Sequence, residues 1–193
     1  MVYTTFIYVL CQYFILKHFW HTYLMSTIRI LGIDPGFDRL GVCVLDKEIS
    51  KETLVFSTCI TTSKKERFEK RLTVLGKELE EIILKYKPDE LAIETLFFTN
   101  NQKTIITVAE VRGICIYLAH KNGATLFEYS PPQIKLAIAG HGKASKEDIA
   151  IMVPKILKQP LLIRTLDDEI DAIAIALTHS ANRQNRLIMQ GIK

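Results

Sequence analysis

The sequence predicts an α/β fold: a five-stranded mixed sheet with helices on both faces. Three observations predict it. Residues 28–61 hold three apolar runs joined by short links, and short links favour antiparallel neighbours, as in a meander. A long stretch of helical periodicity follows. Beyond it, short apolar runs alternate with helical ones, and the order β-β-β-α-β-α-β-α-α suits a mixed sheet covered on both sides.

The elements follow in order. "IRILGID" (28–34), "LGVCVLD" (40–46) and "TLVFSTCIT" (53–61) read as strands, with a turn at Pro35-Gly36 and a charged break at 47–52. In "SKKERFEKRLTVLGKELEEIILKYKP", Phe68, Leu72, Leu75, Leu79, Ile82, Ile83 and Tyr86 recur at three- and four-residue steps. That spacing predicts one amphipathic helix, started by Ser63 and stopped by Pro88. "ELAIETLF" (90–97) is a fourth strand, a helix spans roughly 101–121, and "TLFEYSP" (125–131) is a fifth strand. A short helix over "PPQIKLAIAG" and a polar link precede "KEDIAIMVPKILK", a helix that Pro154 should kink or cut short. The last helix begins near Asp167, with Ile170, Ile173, Ala174 and Leu177 on its buried face.

At 193 residues, with 48% apolar and 24% charged residues, the chain suits one globular domain with a real core. Its four cysteines (Cys11, Cys43, Cys59, Cys115) are scattered, which argues against a zinc site or a disulfide framework and for a reducing, cytoplasmic compartment. The net charge of +4 lies entirely in residues 95–193, and six bases against two acids fall between Pro131 and Arg164. Such a surface attracts polyanions, although a solvated helix face has the same composition.

Residues 1–24 differ from the rest, with eight of the 17 aromatics and no acid. Gln12, Lys17, His18 and His21 interrupt any membrane span, and a basic start and small-residue cleavage site are lacking for a secretory signal. The expectation is that translation begins at Met25. The folded domain would then occupy 25–182, with a short tail at 183–193.

Four carboxylates have apolar neighbours: Asp34 after "ILGI", Glu94 inside "LAIETLFF", and Asp168 and Asp171 at the head of the last helix. Buried acids must be paired, protonated or metal-bound. Asp168 and Asp171 share a helix face. If the four meet, divalent cations between them would relieve their repulsion. Carboxylate oxygens suit magnesium, with manganese as substitute. Two such ions roughly 3.5–4 Å apart can drive phosphodiester hydrolysis. Gly36, lacking a side chain, would leave room beside Asp34 for metal and phosphate. Each acid also has a structural explanation: Asp34 as a turn former, Glu94 as a partner of Arg112, Asp167 and Asp168 as complements of a helix dipole, and Asp171 facing solvent.

"GIDPG", "AIETLFF" and "DDEIDAIAIALTH", together with "VRGIC", "FEYSPPQIK" and "GHGKASKEDI" in order, resemble the RuvC-type Holliday-junction resolvases from about Ile28 to Asn182. The resemblance implies an RNase H-like fold and a metal-dependent endodeoxyribonuclease that cuts two symmetric strands of a four-way DNA junction in recombination and repair. It makes Asp34, Glu94, Asp168 and Asp171 the catalytic metal-binding acids. Phe97 would stack on bases near the crossover, and Lys135 and Lys146 would act on the DNA backbone, with Lys143 a helper. Paired cuts imply a homodimer, with an interface around 101–121, and the family usually works with a branch-migration complex of the RuvA and RuvB type. Two rival readings are a phosphotransferase of the actin-like fold, for which 193 residues leave no second domain, and a catalytically silent relative, against which the four acids argue.

Overall fold

Strand β1 (Ile28–Asp34) pairs antiparallel with β2 (Arg39–Lys47), from Ile28 opposite Lys47 to Asp34 opposite Gly41. β2 in turn pairs antiparallel with β3 (Glu52–Thr61), with a register irregularity between Val44 and Leu45. The computed structural model describes residues 27–96, 102–158 and 166–189. After β3 come helix α1 (Phe68–Tyr86), β4 (Glu90–Glu94), α2 (Gln102–Lys121) and β5 (Thr125–Tyr129). Three helices complete the fold: α3 (Pro131–Ala139), α4 (Lys146–Leu157) and α5 (Asp167–Met189). β4 lies parallel to β1, and β5 parallel to β4, giving the sheet order β3-β2-β1-β4-β5. The predicted mixed sheet is therefore present.

Alternation along the strands sorts side chains into two cores. Leu31, Ile33, Val42, Val44, Leu91 and Ile93 face α1 and α2. On α1, Leu75, Leu79 and Ile83 are fully buried there, each worth about 2 kcal/mol. Ile30, Cys43, Leu45 and Ala92 face the other way, onto α5, with α3 and α4 packed behind it. Because side chains repeat every two residues, Asp34 points to the side of Ile30 and Gly32, and Glu94 to the side of Ala92. Both acids thus emerge on the α5 face, at the C-terminal ends of adjacent central strands.

α5 is buried almost all round from Ala172 to Ser180 rather than on one face, since it lies between the sheet and two helices. Its close approach depends on glycine. A Cβ at Gly32 would overlap the Ala172 carbonyl and stand 2.8 Å from the Ala176 Cβ; one at Gly41 would overlap the Asp168 carbonyl, its carbon only 2.6 Å away. Further along α5, buried His179 ties the helix to the sheet. Its Nε2 lies 2.6 Å from Glu90 Oε2 and its Nδ1 2.6 Å from the Tyr129 hydroxyl. An ionised Glu90 requires Nε2–H to donate, so in the neutral ring Nδ1 accepts from Tyr129. Burial opposes ionisation of Glu90, but hydrogen bonds from His179 and Arg183 outweigh it and hold its pKa below the usual range.

Two sequence expectations need correction. Ser63 does not start α1: its Oγ accepts from Lys65 N at 3.3 Å and its carbonyl from Glu66 N at 3.1 Å, closing a turn, and the helix begins at Phe68 with Arg67 as cap. Pro154 does not break α4 where it stands. The helix carries one more turn to Leu157 and ends at Lys158 in the left-handed conformation. Near a C-terminus, fewer hydrogen bonds follow the proline to be lost.

Candidate active site

Three separate elements bring the acids together. β1 supplies Asp34, β4 supplies Glu94, and the first turn of α5 supplies Asp168 and Asp171. Burial raises the Asp34 carboxyl to about 7, reinforced by the charges of Asp171, Glu94 and Asp168 and opposed by Lys146. Burial and then Asp171 raise Glu94. Burial also raises Asp171, against the nearby Lys146, whose Nζ lies 3.2 Å from Asp171 Oδ2. Asp171 in turn holds the Lys146 ammonium above its ordinary pKa. The neighbouring Asp167 is exposed, and its charge reaches Asp171 and Lys146, whereas half-buried Asp168 acts on both Asp34 and Asp171.

These shifts give a pH dependence. Asp34 binds its proton more tightly folded than unfolded, where its pKa is the ordinary 3.8. Its contribution to stability is present below pH 4 and is lost as pH rises toward 7, by on the order of a few kcal/mol. Denaturant unfolding in chelator should therefore show stability falling from pH 4 to 7, and Asp34→Asn should flatten that slope. An unchanged slope in the variant would show that Asp34 titrates normally.

Among the described residues, no three acidic, histidine or cysteine side chains stand close enough as oriented to hold one ion. The acids are neighbours in charge without forming a closed shell of ligands. They nonetheless fit a hard cation in chemistry: every donor is a carboxylate oxygen, three have pKa values raised by burial and like charge, and Asp168 Oδ2 is buried with no hydrogen bond. Arg39 Nε lies 2.9 Å from that oxygen, an ion-pair distance, but its N–H is not aimed there and leaves the oxygen unsatisfied.

The structural alternative for Glu94 does not hold. Arg112 donates to the Glu94 main-chain carbonyl at 3.2 Å and pairs with the Glu128 carboxylate, not with that of Glu94. Nor does Gly36 leave room for metal. A Cβ there would overlap the Arg39 carbonyl, so glycine is required by the tightness of the turn. A small cleft of about 150 Å³ opens beside Glu94, lined by Pro35, Thr95, Thr104 and Val108 among others.

Of the basic residues implied by resemblance, only Lys146 reaches the acids. Lys135 is half-buried on α3 and Lys143 exposed in the α3–α4 link, and among the described residues neither pairs with an acid. Phe97 lies outside the described residues. Sequence reasoning missed Arg39 and Arg71. Arg71, buried on α1, grips Asp38, donates to the Phe37 carbonyl at 3.3 Å and lies 3.8 Å over the Phe37 ring. This clamps the turn after Asp34. The one available signal was a charged residue on the apolar stripe of α1, one position before Leu72.

This geometry is accompanied by close similarity to known proteins. Residues 30–179 match the family described as "Crossover junction endodeoxyribonuclease RuvC". The chain belongs to the RuvC family. It is 41% identical over 160 residues to the RuvC of Ruminiclostridium cellulolyticum, covering 82% of this chain and 96% of that one. Identity to the Caldanaerobacter subterraneus subsp. tengcongensis RuvC is 42% over 162 residues, covering 83% and 98%. Among solved structures, the Thermus thermophilus RuvC in complex with a Holliday junction substrate is similar, with a TM-score of 0.75, 32% identity, and 82% and 96% of the two chains covered. The RuvC fold is thus common to both. Among the described residues no helix is long and apolar enough to cross a membrane.

Proposed function

We propose that this RuvC-family chain is a crossover junction endodeoxyribonuclease that resolves four-way DNA junctions by paired phosphodiester hydrolysis, with Asp34, Glu94, Asp168 and Asp171 as its catalytic acids. The observation that carries the assignment is the convergence of four carboxylates from three separate elements, the ends of the adjacent strands β1 and β4 and the first turn of α5 packed over Gly41 opposite Asp34, so that the other three charges all act on Asp34. These acids would hold magnesium, or manganese in its place, with two ions per site. Such ions supply Lewis acidity, favouring ionisation of an attacking water and stabilising the leaving oxygen. The chain's own part is to fix the oxygens. The ends of β1 and β4 set Asp34 and Glu94, and the first turn of α5, seated on Gly41 with Gly32 under the next turns, sets Asp168 and Asp171. Lys146, paired with Asp171, would meet the scissile phosphate. Phe97 would stack on a base at the crossover, worth about 1–3 kcal/mol, while Lys135 and Lys143 would bind backbone phosphates.

The test is cleavage of a synthetic four-way junction against linear duplex, with magnesium and with chelator. Magnesium-dependent cutting of the junction alone is expected. Equal cutting of both substrates would remove the junction assignment, and no cutting of either would favour a catalytically silent relative.

Symmetric cuts need two sites, which supports a homodimer. The α2 face bearing Ile106, Glu110, Gly113 and Tyr117 supports its placement: Ile106 is 60% and Tyr117 64% exposed, and nothing stands within 4 Å of a Cβ at Gly113. Ile106→Glu should therefore halve the mass seen by light scattering at micromolar concentration without lowering helicity. A dimer that survives would move the interface elsewhere. We further infer a nuclease domain of residues 25–182 followed by a tail at 183–193 whose first part continues α5 to Met189, action in the cytoplasm, and work alongside a branch-migration complex of the RuvA and RuvB type. The mass of the native N-terminus, and co-purification with such a complex, test these assignments.

A further inference from the structure

Arg39 opens β2 five residues after Asp34, on a turn that is fixed from several sides. Thr62 N donates to the Asp38 carbonyl at 3.0 Å, Thr62 Oγ1 to the Phe37 carbonyl at 2.9 Å, and Arg71 grips Asp38. The Arg39 carbonyl fills the space a side chain at Gly36 would need. From this anchored position its guanidinium reaches over to α5, Nε lying 2.9 Å from Asp168 Oδ2. The Asp168 side chain is 19% exposed and that of Arg39 50%. The buried oxygen nevertheless receives no hydrogen bond. Charge is neutralised while a lone pair stays unsatisfied, so the contact is an incomplete one from which a better ligand can displace the arginine.

We propose that Arg39 is a displaceable counter-ion of Asp168, neutralising this carboxylate in the absence of a divalent cation and competing with the cation for it. The proposal rests on the reading of the four acids as metal ligands. A guanidinium is a diffuse cation confined to one side of the carboxylate, whereas a small hard ion can take the unsatisfied oxygen together with oxygens of the neighbouring acids. Arg39 is thus a positioning residue. It stabilises the acid cluster and sets how tightly that cluster takes its ion. Competition predicts a direction that a purely structural role cannot produce: removing Arg39 should strengthen cation binding, whereas structural damage would weaken it.

Calorimetric titration of the full chain with Mn²⁺, without DNA, reads this separately from activity. Arg39→Ala and Arg39→Gln should bind Mn²⁺ about three- to fivefold more tightly than the unsubstituted chain, the effect of losing a part-exposed ion pair. Arg39→Lys, which keeps the charge, should stay near the starting affinity. In chelator the neutral variants should melt below the parent, and added Mn²⁺ should close that gap. Equal or weaker Mn²⁺ binding by Arg39→Gln, with helicity retained, would overturn the counter-ion role while leaving the metal site standing. If the unsubstituted chain binds no Mn²⁺, the metal reading itself fails and the Arg39 proposal with it.

Discussion

Asp34→Asn is expected to lose four-way junction cleavage, by about 10³-fold or more in rate, while junction binding stays within about twofold. The rate figure corresponds to roughly 4 kcal/mol of transition-state stabilisation, within the several kcal/mol that a positioned metal supplies. Asp34 is the hub of the cluster, the group on which the charges of Asp171, Glu94 and Asp168 all act. An amide in its place keeps the shape and one oxygen but removes the charge that would hold a cation. Affinity for DNA comes mostly from phosphate contacts by basic side chains, and Asn leaves these in place. Single-turnover cleavage and gel-shift titration of one junction separate the two effects. Cleavage by Asp34→Asn at the parent rate would mean that the four acids are not the catalytic centre.

The second large effect is expected at a residue that carries no functional group. In Gly41→Ala the added Cβ would overlap the Asp168 carbonyl, stand 2.6 Å from its carbon and 3.3 Å from the Ala172 Cβ. The obstruction is backbone, so no side-chain rotation relieves it and the first turn of α5 must lift from the sheet. Forced overpacking of this kind costs about 1–3 kcal/mol in stability. Lifting that turn also carries Asp168 and Asp171 away from Asp34, and misplacement by about 1 Å can lower a rate by 10²-fold. Urea unfolding and cleavage should therefore both suffer. Gly76→Ala is the comparison, since its new Cβ would meet nothing nearer than the Ile114 Cγ2 at 3.5 Å; it should keep full activity. A Gly41→Ala protein with parent stability and rate would show that α5 does not depend on this approach.

The two expectations concern different parts of the chain's information. Asp34, Glu94, Asp168 and Asp171 were legible as candidates because each is an acid set in an apolar run, and because the segments around them resemble one family in order. The strands were legible from their apolar runs and short links, and α1 from its three- and four-residue steps. Its start was not. Ser63 has the composition of a cap, but its hydroxyl serves a local turn instead. Competition between turn and cap for one side chain is decided by where the chain has to go next.

By itself, the sequence determined which residues could be chemical, which segments would be strands or helices, and which family the chain belongs to. All of these rest on residue type and local periodicity, which survive without knowledge of distant neighbours. Only the tertiary structure decided that Arg112 holds the Glu94 carbonyl and not its carboxylate, that Gly36 serves its turn, that Arg39 sits on Asp168, and that Gly32 and Gly41 let α5 down onto the sheet. Each is a relation between atoms remote in the chain, fixed by strand register and by the distance at which a helix can pack. A glycine in a strand looks the same on paper whether it faces solvent or the carbonyl of a helix more than a hundred residues away.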